Sequence, residues 1–302
     1  MATQLQGTQL SLYNQFRPAL ENYHTGGFKN GGGVDGVQLP PNVSQDQLEP
    51  YMDAVCTYMA QQPGIDVLPP TPDGMKDSAW RHQFGVNVES TVRANTQSYI
   101  KTGLAMIHNP AIAGMIQQAL DAAPKGWFDA PSSLSGQFHP ADEVIPAEAG
   151  GGGGLVLHSL RNMIVADKLV DFFNADASVN VIGNQHIDSD TRDMIVGAEL
   201  LHDIEKDSTP DLQTWGRYNP GHGPLGQSFL QGVWKDAPNQ EWASKMEEMV
   251  NGHMAQWNVD PTDNKKKEPI VPKDVPNQIF SYADYLGSQR NVLVQPSPGV
   301  DE

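Results

Sequence analysis

Apolar residues recur at helical spacing along most of this chain, and the recurrence stops where glycine and proline accumulate. From Ser44, S-Q-D-Q reads as a capped start, and L-E-P-Y-M-D-A-V-C-T-Y-M-A then carries its apolar side chains at helical intervals. L-P-P-T-P-D-G breaks that element. A long helix is predicted from about Ser78 to Ile107, ending near Asn109-Pro110, followed by a shorter one through A-I-A-G-M-I-Q-Q-A-L-D-A-A. L-V-L-H-S-L-R-N-M-I-V-A-D-K-L-V-D-F-F has the length and period of a buried helix. Asp190 reads as the cap of the next, with Asp193 three residues on, and M-I-V-G-A-E-L-L is its apolar end. Pro224 suits the first turn of a helix through L-G-Q-S-F-L-Q-G-V-W. Further on, Trp242, Met246, Met249, Val250 and His253 share one helical face at offsets of 0, 4, 7, 8 and 11. I-F-S-Y-A-D-Y-L-G-S-Q-R-N closes the series. Strand-like alternation with hairpin turns is absent from the pattern, so the expected class is all-α.

The punctuation divides the chain. Residues 1–45, with G-G-F-K-N-G-G-G-V-D-G and P-P-N-V-S, read as a Gly-rich extended arm. Residues 46–130 form an N-terminal helical region, and 131–154 a Pro/Gly-rich linker ending in the five glycines Gly150 to Gly154. Residues 155–290 form a second helical region, and 291–302 a frayed tail. At 302 residues such a chain has length enough for a substantial core. No run approaches the eighteen apolar residues a membrane span needs, and the start lacks the basic and apolar regions of a secretory signal. A single cysteine, Cys56, fits a reducing compartment; the expected location is cytoplasmic. A formal charge of −17 argues against broad nucleic-acid binding. The basic cluster Lys265-Lys266-Lys267 reads as a solvated loop.

Candidate chemistry lies in the second helical region. His158, the adjacent pair His202-Asp203, His222, His253 and Asp284 follow one another on successive predicted helices. His24, His82, His108 and His139 have no partner at ligand spacing and read as surface or packing histidines, and His186 and Asp188 read as loop and capping residues. The nitrogen and oxygen donors suit iron, manganese, zinc or nickel, without thiolate chemistry. Six ligands exceed what one tetrahedral site needs. Asp203, with two oxygens, is placed to bridge two divalent transition-metal ions, one on His158, His202 and Asp284, the other on His222 and His253.

This H…HD…H…H…D order resembles the HD-domain superfamily of metal-dependent phosphohydrolases. The resemblance is carried by L-H-S-L-R-N around His158, L-L-H-D-I-E-K around His202 and Asp203, G-H-G-P-L-G around His222, N-G-H-M around His253 and Y-A-D-Y-L-G-S-Q-R around Asp284. It covers about residues 155–290, which it marks as an HD metal-binding domain. His222 and His253 resemble the dinuclear branch; Glu205 stands where many members have glycine. The resemblance implies hydrolysis of a phosphate ester or anhydride, on a small nucleotide-like substrate, through a metal-activated water. Asp203 would orient that water as a catalytic residue. Lys206 would hold a phosphate oxygen and the charge that develops during attack, with Arg161 and Arg290 as further substrate-binding cations. Two alternatives differ in chemistry: a di-iron oxygenase of the myo-inositol oxygenase-like type, and a non-catalytic HD scaffold whose Gly-rich arm wraps a partner.

Overall fold

The structure, a computed structural model, describes residues 5–26, 47–133, 139–144, 153–175, 186–207, 221–260 and 262–296. It is mostly helical, as the periodicity predicts. In chain order the helices are α1 (Thr8–Glu21), α2 (Leu48–Ala60), α3 (Asp77–Ala105), α4 (Pro110–Ala122), α5 (Lys125–Asp129), α6 (Gly154–Asn174), α7 (Ser189–Glu199), α8 (His222–Val233), α9 (Gln240–Gly252) and α10 (Val275–Gly287). The strands are β1 (Ile65–Val67), β2 (Val259–Asp260), β3 (Asp263–Lys267) and β4 (Val292–Val294). No helix is long and apolar enough to cross a membrane among the described residues.

The central element is α6, which packs against α3, α7 and α10 and is buried on nearly every side. Helix α9 lies across α8 and α7, and Trp234 at the end of α8 donates its indole N–H to Met115 O of α4 at 3.0 Å. Local chemistry sets the ends. Asn109 accepts from Ala111 N at 2.9 Å and starts α4 at its predicted boundary. The cap of α7 is Asp188, which accepts from Thr191 N at 2.8 Å. Asp190, the predicted cap, therefore sits in the first turn, two residues inside the observed one.

Three expectations about the chain's division are corrected. The extended arm is helical over α1 and continues as a π-helical turn through Asn22–Gly26. Leu12, Phe16, Ala19 and Leu20 are buried, and Tyr13 and Arg17 bind Asp53 of α2 at 2.7 and 2.8 Å. Gly7 precedes α1 and the next glycine is Gly26, so the residues between them keep an apolar helical face; residues 27–46, where the rest of the arm and the Ser44 cap fall, lie outside the described residues. Second, one contiguous buried cluster joins side chains from α1, α2 and α4 with those of α6 to α10, so the predicted regions 46–130 and 155–290 share a core. Third, the tail begins with a buried strand: β4 pairs antiparallel with β1, Ile65 opposite Val294 and Val67 opposite Val292. The lysine cluster belongs to β3, paired with β2, where exposed Lys266 bridges Asp260 at 3.2 Å and also reaches Glu268. These strands are too short to show alternation in sequence.

Candidate metal centre

Five segments converge on one buried point. Helix α6 contributes His158, α8 its first residue His222, α9 its C-terminal cap His253, and α10 Asp284. His202 and Asp203 follow α7 in a run of tight turns, with Ile204 N bonded to Leu201 O at 3.0 Å and Lys206 N to Asp203 O at 2.9 Å. All six predicted ligands are therefore brought together, and Lys206 beside them.

The two oxygens of Asp203 divide the histidines into pairs. Oδ2 lies 3.3 Å from His202 Nε2 and 3.8 Å from His158 Nε2. Oδ1 lies 2.9 Å from His222 Nε2 and 3.6 Å from His253 Nε2. Asp284 Oδ1 joins the first pair, 3.2 Å from His158 Nε2 and 3.6 Å from His202 Nε2. Lys206 Nζ contacts Asp203 Oδ2 at 2.7 Å.

The ring tautomers follow from the backbone. His202 Nδ1 is 2.7 Å from Glu199 O and His253 Nδ1 is 2.7 Å from Val250 O. A carbonyl accepts only from N–H, so in each neutral ring the proton sits on Nδ1 and Nε2 presents a bare lone pair inward. His253 Nε2 nevertheless faces His222 Nε2 at 3.0 Å, and the buried Asp203 Oδ1 accepts no hydrogen bond. Inward lone pairs on neutral imidazoles, two carboxylates between them and an orphaned oxygen are what two cations require. The donor set fits, and the clusters His158–His202–Asp203 and Asp203–His222–His253 can each hold an ion.

Electrostatics agree with that division. Burial alone would raise the Asp203 carboxyl, but Lys206, His202 and His222 hold it well below the usual range. Burial likewise opposes ionisation of Asp284, and the hydrogen bond from His158 and the charge of His202 overcome it. His158 and His202 are raised against the effect of burial by their carboxylate neighbours, whereas burial lowers His253. Glu199, fully buried with neither carboxyl oxygen hydrogen-bonded, is pushed well up by desolvation and by Asp284.

Two predicted substrate cations are corrected. The Arg161 guanidinium is buried behind His158, bound to Val294 O at 2.7 Å, to Asp142 at 2.8 and 2.7 Å and to Glu143 at 2.7 Å. With its donors spent on a carbonyl and two carboxylates, it is committed to the fold. Arg290 is half-exposed and pairs with Asp77 at the start of α3, while its carbonyl accepts from Arg81 at 2.9 Å. Lys206 alone of the three stands at the centre.

The sequence reading missed four residues here. His139, taken as surface or packing, is buried, with Nδ1 3.3 Å from Glu143 Oε2, and that same oxygen is 3.3 Å from His158 Nδ1. Asn162 Nδ2 lies 3.2 Å from His158 Nε2 and from Asp284 Oδ1, and 3.4 Å from His202 Nε2. Glu199 is the fourth. Asn162 was detectable, since it follows His158 by one helical turn on the same face. Glu143 carried only the weak H-x-x-x-E spacing from His139, inside a stretch read as linker. Gly154 shows why glycine is needed there: a Cβ on it would lie 2.2 Å from Glu143 O. Gly287, read as a close-packing position, is one: its Cβ would lie 2.0 Å from Asn162 Oδ1.

No protein-family model, curated protein or solved structure matches this chain significantly.

Proposed function

We propose that this protein is a phosphohydrolase of the HD-domain kind, holding two divalent transition-metal ions and acting on a small phosphate ester or anhydride, nucleotide-like in class. The observation that carries the reading is Asp203, whose two oxygens each face a different pair of histidine Nε2 atoms. His158, His202 and Asp284 would hold one ion, His222 and His253 the other, and Asp203 both. Bound there, iron, manganese, zinc or nickel ions supply Lewis acidity toward phosphoryl oxygens and an activated water.

The cation at the centre supports an anionic substrate: Lys206 Nζ stands beside Asp203, which suits a phosphate better than a neutral polyol, and so hydrolase over oxygenase chemistry. Asp203 accepts a hydrogen bond from the attacking water and orients it. Lys206 Nζ, 2.7 Å from Asp203 Oδ2, is at hand for a phosphoryl oxygen and for the charge that grows on it. Water adds to phosphorus, the bond to the leaving oxygen breaks, and that oxygen takes up a proton.

The test is elemental analysis joined to a screen of nucleotides, phosphomonoesters and phosphodiesters under anaerobic conditions. About two ions per chain with metal-dependent phosphate release is the expected result. Trace metal that does not rise on reconstitution, or no anaerobic turnover together with substrate-dependent O₂ uptake in air, overturns it.

A further inference from the structure

We propose that Glu143 is a positioning residue of the metal centre, acting through His158, and that Arg161 and His139 hold its carboxylate in that role. The inference rests on the dinuclear reading and deepens it. His202 and His253 each give their Nδ1–H to a backbone carbonyl, Glu199 O and Val250 O. His158 differs. If its Nε2 binds a cation, its Nδ1 carries the proton and needs an acceptor, because a buried N–H without one is costly. That nitrogen has no partner of good hydrogen-bond geometry; Glu143 Oε2 lies 3.3 Å away, fully buried. A carboxylate behind a ligating imidazole fixes its tautomer and orientation and strengthens it as a donor.

The setting of Glu143 fits this role. Its other oxygen, Oε1, is taken by Arg161 Nη1 at 2.7 Å, which leaves Oε2 to the two imidazoles. Arg161 is fixed in turn by Asp142 and by Val294 O of β4. Glu143 O accepts from Ser132 N at 3.0 Å and Oγ at 3.2 Å, with Gly154 making room beside it. His139 is held at φ 66°, an uncommon backbone state for a residue with a side chain, by its N–H to Ser288 O at 2.8 Å and its carbonyl to Arg81 Nη2 at 2.9 Å. A pocket built at that cost holds a carboxylate against the outer nitrogen of one ligand histidine. His139, Glu143 and His158 also have donor atoms spaced for a third cation. The guanidinium of Arg161 on the same carboxylate opposes that use.

The experiment titrates full-length wild type and Glu143→Gln with cobalt(II), reading affinity by competition with a chromophoric chelator and geometry by the visible d–d bands. Circular dichroism checks folding. Wild type is expected to bind two ions. Glu143→Gln should weaken one of them about 10–100-fold and change its bands, leaving the other as in wild type. In a His253→Ala background, where the ion on His158 remains, Glu143→Gln should weaken that ion by the same factor. If Glu143→Gln fails to fold because it strands the guanidinium, Glu143→Gln/Arg161→Gln removes both charges together and carries the same expectation. Two cobalt ions with wild-type affinity and bands in the folded variant overturn the inference and leave the dinuclear reading standing. So does a third wild-type ion that disappears in Glu143→Gln while the first two are unchanged, for the carboxylate is then a ligand. Wild type that takes up no metal overturns both.

Discussion

His24 ties the N-terminal segment to the helix that carries Asp284, and that tie should loosen in acid. Its ring is 4% exposed and hydrogen-bonds through Nε2 to the Tyr282 hydroxyl, two residues before the ligand. Burial, with a contribution from Arg17, lowers it from 6.5 to about 4. The unfolded chain therefore takes up this proton before the folded protein does. The sign follows: stability through this group is complete above about pH 6.5 and falls as pH drops toward 4. With those two values, the folded state loses about 2 kcal/mol between pH 7 and pH 5 through His24 alone. Other groups titrate in the same window, so the measurement is a difference. Metal-free wild type and His24→Gln, which keeps a polar partner for Tyr282, are unfolded in urea at both pH values. Wild type should lose about 2 kcal/mol more than the variant over that interval. Equal losses, within about 0.5 kcal/mol, would show that the ring takes up its proton without leaving its pocket, and would refute the reasoning.

Phe16→Ala should cost about 3–5 kcal/mol in urea unfolding, because the side chain is 1% exposed in the shared core; an effect under about 1 kcal/mol would return α1 to the status of a dispensable arm. Gly287→Ala should destabilise by about 1–3 kcal/mol, since its methyl would stand 2.0 Å from Asn162 Oδ1 and the α6–α10 contact would have to open; a neutral change in melting temperature would contradict this. Asp203→Ala should release both ions and His253→Ala mainly one, read as metal per chain after dialysis. Lys206→Ala should keep the metal and lose on the order of 10²-fold in kcat/KM toward a phosphorylated substrate, with Lys206→Arg recovering part of it. Unchanged kinetics would remove Lys206 from the site.

Most of the helices from Leu48 onward were legible because their apolar residues recur at helical spacing, and Asn109-Pro110 marks one boundary through a capping side chain that is visible in the sequence. The pairing of β1 with β4 was not, because three-residue strands far apart in the chain have no local signal. The helix at the start of the arm is masked when composition is averaged across Gly26. The glycines that follow diluted T-Q-L-S-L-Y-N-Q-F-R-P-A-L-E, whose Leu12, Phe16 and Leu20 alone predict a buried helical face.

At the centre, the convergence of the six candidate ligands could be read because each has a chemical type that is costly to bury without a partner, and because their order along the chain is constrained. The side chains that hold them could not be read in the same way. Helix α6 is buried around most of its circumference, from Leu155 to Phe173, so its hydrophobic pattern does not say which face meets the ligands. Three residues beyond His158, Arg161 could equally have faced a substrate or an inner carboxylate. What decides it is Glu143, a residue from a turn ahead of the glycine run, brought up against α6 where Gly154 leaves room. A buried guanidinium settles where its countercharges are, and here two carboxylates lie behind His158. One arginine thus leaves the list of substrate cations and is committed to the carboxylates behind His158. Lys206 is left as the cation paired with Asp203, which makes it the sharpest single test of what the centre binds.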